Sequence, residues 1–253
     1  LYLATFGGLA LFGSAIARPS RASLVGMIGL WGMFCLVVPR LGTEVAGFAV
    51  PLPSEAELSR AVAASLDNGI DGKTPRDAAV EELITKLMGD QNLVNAGMLM
   101  DEAELNGIEL KAEARWEDMI HDHHVEAFQR RVTAQERAGA VVGLLSPYAA
   151  MRNLSAGLCG TDLAHHQHFA AYTERWRKGF VEYLNDAFAR DSGAEGWDYR
   201  AGSDLWKKAP AFEYQEPGLG FVLSAHALSL GVLALWFVLA LGLAVLSSRR
   251  VAV

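Results

Sequence analysis

Seven histidines stand in three places along the chain, and their spacing is the first feature that could do chemistry. His121, His123 and His124 form one cluster, His165, His166 and His168 a second, and His226 stands alone. Positions three apart share a face of a helix, so His121 with His124 and His165 with His168 make two-ligand pairs. Imidazole pairs of this kind bind copper or zinc, with Asp122, Glu126 or Asp162 as hydrogen-bonding partners behind them. The competing reading is structural: His165 falls on an aromatic stripe, and the other rings serve as solvated, helix-pairing or pH-sensing groups. Nothing in the spacing forces the two clusters together.

Other motifs fail on a specific position. Gly72-Lys73-Thr74 imitates the end of a phosphate-binding loop, but Asp67 occupies the place of its first glycine and no apolar strand precedes it. Asp67 to Gly72 also imitates a calcium loop, yet Ala78 stands where a bidentate glutamate is required and Gly69 replaces a side-chain ligand. There is no GxSxG elbow, and Ser146 precedes a proline with no assigned base. Cys35 lies in an apolar run and Cys159 outside one, so no intrachain disulfide is expected. No catalytic residue is assigned, and the chain reads as a non-enzyme.

The elements that position these residues follow from the charge pattern of the 253-residue chain. Residues 1–17, 22–39 and 217–248 carry no Asp, Glu, Lys or Arg. A membrane-spanning helix needs about 20 apolar residues. The third run clears that length, the second reaches it, and the first is marginal. Arg18 and Arg21 follow the first run, the reverse of the order in a signal peptide. Arg18/Arg21 and Arg249/Arg250 are separated by two crossings and so fall on one side, the cytoplasmic side by the positive-inside rule. His226 is the one ionisable group inside an apolar run, which makes it a candidate for function or for a snorkelling, interfacial role.

The intervening residues 41–218 hold all 29 acidic residues and 17 of the 22 basic ones, and are expected to be extracytoplasmic. The formal net charge of −7 argues against nucleic acid as a partner. Helix signals run through this stretch. Ser54 with Glu57 forms a capping box, and Thr74-Pro75 opens a helix carrying Val80, Leu83, Ile84, Leu87 and Met88. A long helix covers Glu109 to Ala138, with Trp116, Ile120 and His124 on one face. Ser146-Pro147 starts a shorter helix ending at Gly157 or Gly160. After the caps Thr161-Asp162 comes a helix whose stripe, His165, Phe169, Tyr172, Trp176, Phe180, Tyr183 and Ala187, reads as a packing face. Residues 191–218 read as an extended return.

The expected fold is therefore all-α: transmembrane helices flanking an extracytoplasmic α-helical bundle. Residues 1–40 supply two spans joined by a short cytoplasmic loop, residues 41–218 the outer domain, and residues 219–248 the last span.

Leu145-Ser146-Pro147, Met151-Arg152-Asn153, Ala156 to Asp162, His165, His168-Phe169 and Glu174 to Arg177 together resemble a bacterial family. It is a group of type-2 ABC transporter permeases with a large extracytoplasmic insertion of unknown function. The motif residues under this resemblance are Ser146, Pro147, Gly160, Thr161, Asp162, His165, His168, Phe169 and Arg177. The resemblance implies a permease subunit, an exporter, in the bacterial inner membrane, with the chain as the C-terminal part of a longer protein. It implies as partners a cytosolic ABC ATPase, a second permease copy or homologous permease, and the lipid bilayer. No cofactor is expected in this chain, since ATP is bound by the partner subunit. Two alternatives stand beside it: a membrane-anchored sensor whose outer domain binds a ligand or metal, and a tethered metallohydrolase built on the histidine clusters.

Overall fold

The computed structural model describes residues 1–17, 20–90 and 102–251. Among them the chain is mostly helical, with no strand, and two helices long and apolar enough to cross a membrane flank a helical central region. The helices are α1 (Tyr2–Ile16), α2 (Ser20–Gly32), α3 (Val38–Ala49), α4 (Glu55–Asn68), α5 (Arg76–Asp90), α6 (Glu102–Gly143), α7 (Pro147–Leu158), α8 (Leu163–Asp191), α9 (Ser203–Lys207), α10 (Leu219–Ala225) and α11 (Ala227–Val251). Arg18 and Pro19, in the short loop expected between the first two apolar runs, lie outside the described residues.

The chain divides into two compact units. The first comprises Leu1–Leu52, Arg131–Phe169 and Gln215–Val253, the second Pro53–Arg130 and Ala170–Tyr214. Residues 41–52, 131–169 and 215–218 belong to the first unit, with the apolar helices. The chain passes between the units inside α6 and again inside α8.

In the apolar unit, α2, a π-helical turn at Met33–Val37 and α3 form one run of helix. The segment Arg21–Ala49 has 29 residues and Ala227–Arg249 has 23. At 1.5 Å per residue these reach about 43 and 35 Å, enough for a hydrocarbon layer of about 30 Å. Only 11% of each apolar window is buried within the chain, unlike the core helix of a soluble domain. The first helix, at 15 residues, is shorter. The second apolar run does not end at Arg40 but stays helical to Ala49, and Arg40 pairs with Glu44 one turn on at 2.6 Å. Small residues let backbones approach. A Cβ on Gly8 of α1 would lie 3.1 Å from the Ala240 carbonyl of α11, and one on Gly42 of α3 would lie 3.4 Å from the Gly139 carbonyl of α6.

The polar unit has a conventional core. Ala79, Val80 and Leu87 of α5 pack with Ile108, Ala112, Trp116 and Ile120 of α6, and Val62 and Leu66 of α4 close the cluster. The α4 capping box forms in both directions, with Ser54 accepting from the Glu57 N–H and the Glu57 carboxylate accepting from the Ser54 N–H. Trp116 donates its indole N–H to the Leu66 carbonyl at 3.1 Å. From Tyr172 to Tyr183 the aromatic stripe of α8 is met by the returning chain. Trp176 donates to the Pro210 carbonyl at 3.2 Å, Tyr183 to the Leu205 carbonyl at 2.9 Å, and Tyr172 to the Glu213 carbonyl. Phe212 meets the rings of Tyr172 and Trp176 edge-on.

Candidate functional site

The motif residues from Ser146 to Asp162 build two helix ends. Ser146 caps α7, its hydroxyl accepting the Ala149 N–H at 3.1 Å, and Pro147 takes the first helical position, where a missing N–H costs nothing. At the other end the Gly160 N–H reaches the Gly157 carbonyl and the Thr161 N–H the Ala156 carbonyl. This Schellman pair needs a residue with left-handed backbone, and Gly160 has φ +68°. The chain is thereby turned so that the next residue, Asp162, caps α8 by accepting the His165 N–H at 3.3 Å.

Asp162 does more than cap. One carboxylate oxygen accepts from Nδ1 of His165, and the other from Nε2 of His226 at 2.8 Å. A carboxylate oxygen only accepts, so each bond puts a proton on the ring nitrogen that faces Asp162. The three side chains are only 9%, 13% and 10% exposed. Burial alone would raise the Asp162 pKa, but the bonds from His165 and His226 outweigh it and hold the carboxyl below its ordinary value. His226 sits against Gly157, where any Cβ would overlap its ring. Phe221 of α10 presents itself edge-on to His165 and to His168, at 5.3 and 5.6 Å between ring centres.

The third apolar run is broken at His226, which separates α10 from α11 with φ −109° and ψ 17°. The ring therefore stands at the start of the long apolar helix rather than midway along it, and the break aims it at Asp162.

Ser146 serves a second bond. Its buried hydroxyl donates to the Phe34 carbonyl at 2.6 Å. In the π turn the Val38 N–H bonds the Met33 carbonyl, and Pro39 has no N–H to offer, so Phe34 is left without a helical donor. Trp236 of α11 stacks edge-on against Phe34 and donates its indole N–H to the Leu144 carbonyl at 3.1 Å.

A groove of about 630 Å³ opens beside this cluster within the apolar unit. Its walls include Val38, Gly42 and Ala46 of α3, Glu136, Arg137 and Ala140 of α6, Arg152 and Asn153 of α7, and Asp162, His226 and Leu228. Burial, then the Asp162 charge, push the Glu136 carboxyl above its ordinary pKa, with His226 and Arg137 opposing.

Arg177 lies in the polar unit. It donates to both oxygens of Glu174, at 2.8 and 2.7 Å, and to Asp118, while Lys178 meets Asp122 at 2.6 Å. The bonds to Glu174 hold the guanidinium pKa above its ordinary value, and those from Arg177 depress Glu174. His121 lines a cavity of about 350 Å³ beside these groups. His124 bonds Ser65 at 2.9 Å, and burial, then the charges of His123 and His121, lower its pKa. Among the described residues no group of three or more His, Cys, Asp or Glu could hold a metal ion. The loop that imitates phosphate and calcium sites spends its carboxylate internally, with Asp71 accepting from the Lys73 and Thr74 N–H groups and the Thr74 hydroxyl.

Residues 108–215 match the model of a domain of unknown function, DUF3526. The DUF3526 stretch holds all nine motif residues and stops short of Phe221 and His226. No curated protein and no solved structure matches the chain.

The structure thus joins Asp162 to His165 and His226, sets Phe221 against His165 and His168, and in the same unit ties Ser146, the cap of α7, to Phe34 of the π turn. Arg177, the ninth motif residue, belongs to the polar unit. Sequence reasoning missed the pairing of Asp162 with His226. The available signal was His226 itself, because an ionisable group in an apolar run needs a partner.

Proposed function

We propose that the chain is a permease subunit of an ATP-binding-cassette transporter, an exporter, in the bacterial inner membrane. The observation that carries this reading is the DUF3526 match over residues 108–215 in a chain with two helices long enough to cross a bilayer, since such domains are found in ABC-transporter-associated proteins. In this reading residues 41–218 are extracytoplasmic, and the acidic helical domain gates the exit of the path or docks a partner there. ATP is bound and hydrolysed by a separate cytosolic subunit, and the chain pairs with a second copy or a homologous permease. The return of the outer residues to both apolar spans makes their position responsive to relative motion of those spans, a hinge-type coupling.

Two experiments test it. With the exposed Cys159 replaced by serine, a cysteine at the exposed Glu82 should be labelled by a membrane-impermeant maleimide in intact spheroplasts. Protection of that cysteine overturns the topology. The detergent-extracted full chain should carry an ABC ATPase in fixed stoichiometry and support its vanadate-sensitive turnover. Extraction without any such subunit overturns the transporter assignment.

A further inference from the structure

The groove beside Asp162 combines features that an ordinary packing defect lacks. Its volume of about 630 Å³ falls within the range of about 300–1,000 Å³ typical of small-molecule sites. It lies along α3 at one end of the Arg21–Ala49 span and beside the first turn of the Ala227–Arg249 span, where lipid headgroups meet helix ends. One side is apolar, formed by residues such as Val38, Ala46 and Leu228. Two arginines, Arg137 and Arg152, line it, and among the described residues neither has an ion-pair partner or a hydrogen bond. Each guanidinium presents a planar fork of donors that matches phosphate oxygens.

The carboxylates in the lining complete the pattern. Asp162 already accepts from His165 and His226, whereas Glu136 has no hydrogen bond or ion pair among the described residues. A carboxylate in a partly apolar wall beside a second carboxylate calls for a cation with N–H donors. The groove thus offers donors for a phosphate, an acceptor for an ammonium, and an apolar wall for a chain.

We infer that this groove binds the headgroup of an amine-bearing phospholipid, with its phosphate on Arg137 and Arg152, its ammonium on Glu136, and an acyl chain along α3 and α11. Phosphatidylethanolamine has all three features. Phosphatidylglycerol lacks the ammonium, and phosphatidylcholine lacks the N–H donors. The inference rests on the membrane reading above, since it needs α3 and α11 to stand in a bilayer.

The full chain is reconstituted in nanodiscs of equal parts phosphatidylethanolamine, phosphatidylglycerol and phosphatidylcholine, then released into detergent for native mass spectrometry. Wild type should retain one phosphatidylethanolamine in preference to the other two. The exposed substitutions R137Q and R152Q together should lower its retention by at least about tenfold, the loss expected from even one of the two charge-assisted hydrogen bonds to phosphate. E136Q should keep a lipid but erase the preference for phosphatidylethanolamine over phosphatidylglycerol, a change that damage to the fold would not produce. Equal retention of the three lipids by wild type, or retention unchanged in the double variant, overturns the inference. Carbonate extraction of the same cells separates the two readings: a chain released from membranes by carbonate defeats the membrane assignment, while a carbonate-resistant chain without bound lipid defeats the groove alone.

Discussion

The two units of this chain distribute polarity in opposite ways. In the polar unit Trp116, Ile120 and Leu87 are buried, and Arg130, Glu126, Asp204 and Lys207 stand outside. In the apolar unit Leu24, Ile28, Leu235 and Val238 are exposed, while Thr5, Ser146, His226 and Ser247 are buried. The hydrophobic effect explains the first pattern, because apolar area leaves water. It cannot explain the second in water. A hydrocarbon solvent around the two long apolar helices would, since apolar side chains then gain nothing by turning inward. Within the apolar unit the polar groups are paired: Ser146 with the Phe34 carbonyl, Trp236 with the Leu144 carbonyl and His226 with Asp162.

The contrast breaks most visibly at Trp116 and Leu235. Trp116→Ala removes a buried ring and leaves the Leu66 carbonyl unpaired, and should destabilise the polar unit by about 3–5 kcal/mol. Leu235→Ala removes a side chain 58% exposed and should change stability by less than about 0.5 kcal/mol in detergent. Thermal unfolding followed by circular dichroism in micelles compares the two. If both cost the same, the outside of the apolar unit is in truth a covered core.

Ser146→Ala comes next in size. It removes the α7 cap and strands the Phe34 carbonyl, and should cost about 2–3 kcal/mol, more than the roughly 1 kcal/mol of an ordinary cap. Ser146→Thr keeps the hydroxyl and should recover most of that loss. A cost at the ordinary level in the same melting assay indicates that Phe34 has another donor.

Acid offers a third comparison. Asp162 is held below the ordinary carboxylate pKa, so its contribution to stability is complete above the unfolded value of about 3.9 and is lost as pH falls through the lower native value. Asp162→Asn should therefore destabilise the chain by about 1–3 kcal/mol at neutral pH, and the gap to wild type should narrow as pH drops below about 4. Glu136 runs the other way. Its raised pKa means that stability falls as pH rises above the ordinary glutamate value, so Glu136→Gln should raise the melting temperature at pH 7 relative to pH 4. A gap for Asp162→Asn that widens in acid would reverse the assigned direction.

The smallest effect is expected at the Arg130–Glu126 pair, 67% and 69% exposed one helical turn apart. Replacing either by alanine should change melting by an amount near the error of the measurement, below about 0.5 kcal/mol.

Sequence periodicity and capping chemistry made much of this visible. Ser54 with Glu57, Ser146-Pro147 and Thr161-Asp162 each signal a helix start that the chain adopts, because caps are local events decided within four residues. The stripe on α8 was legible as a packing face for the same reason. Its cover was not, since nothing in the spacing says that Pro210, Glu213 and Leu205 return to accept from Trp176, Tyr172 and Tyr183. The long-range bonds were likewise silent. Asp162 and His226 are 64 residues apart, and the break that orients His226 lies inside an unbroken apolar run. The change of unit within α6 and α8 was hidden too, since both helices keep their period across it.

The π turn at Met33–Val37 has a consequence for everything downstream on its helix. One extra residue in a turn advances all later side chains by about 100° around the axis compared with an uninterrupted α-helix. That offset is what brings Gly42 and Ala46 round to Gly139. Deleting a single residue between Met33 and Val37 would restore a regular ladder and dial those small residues away from their neighbour, leaving a tidier helix with the wrong face forward.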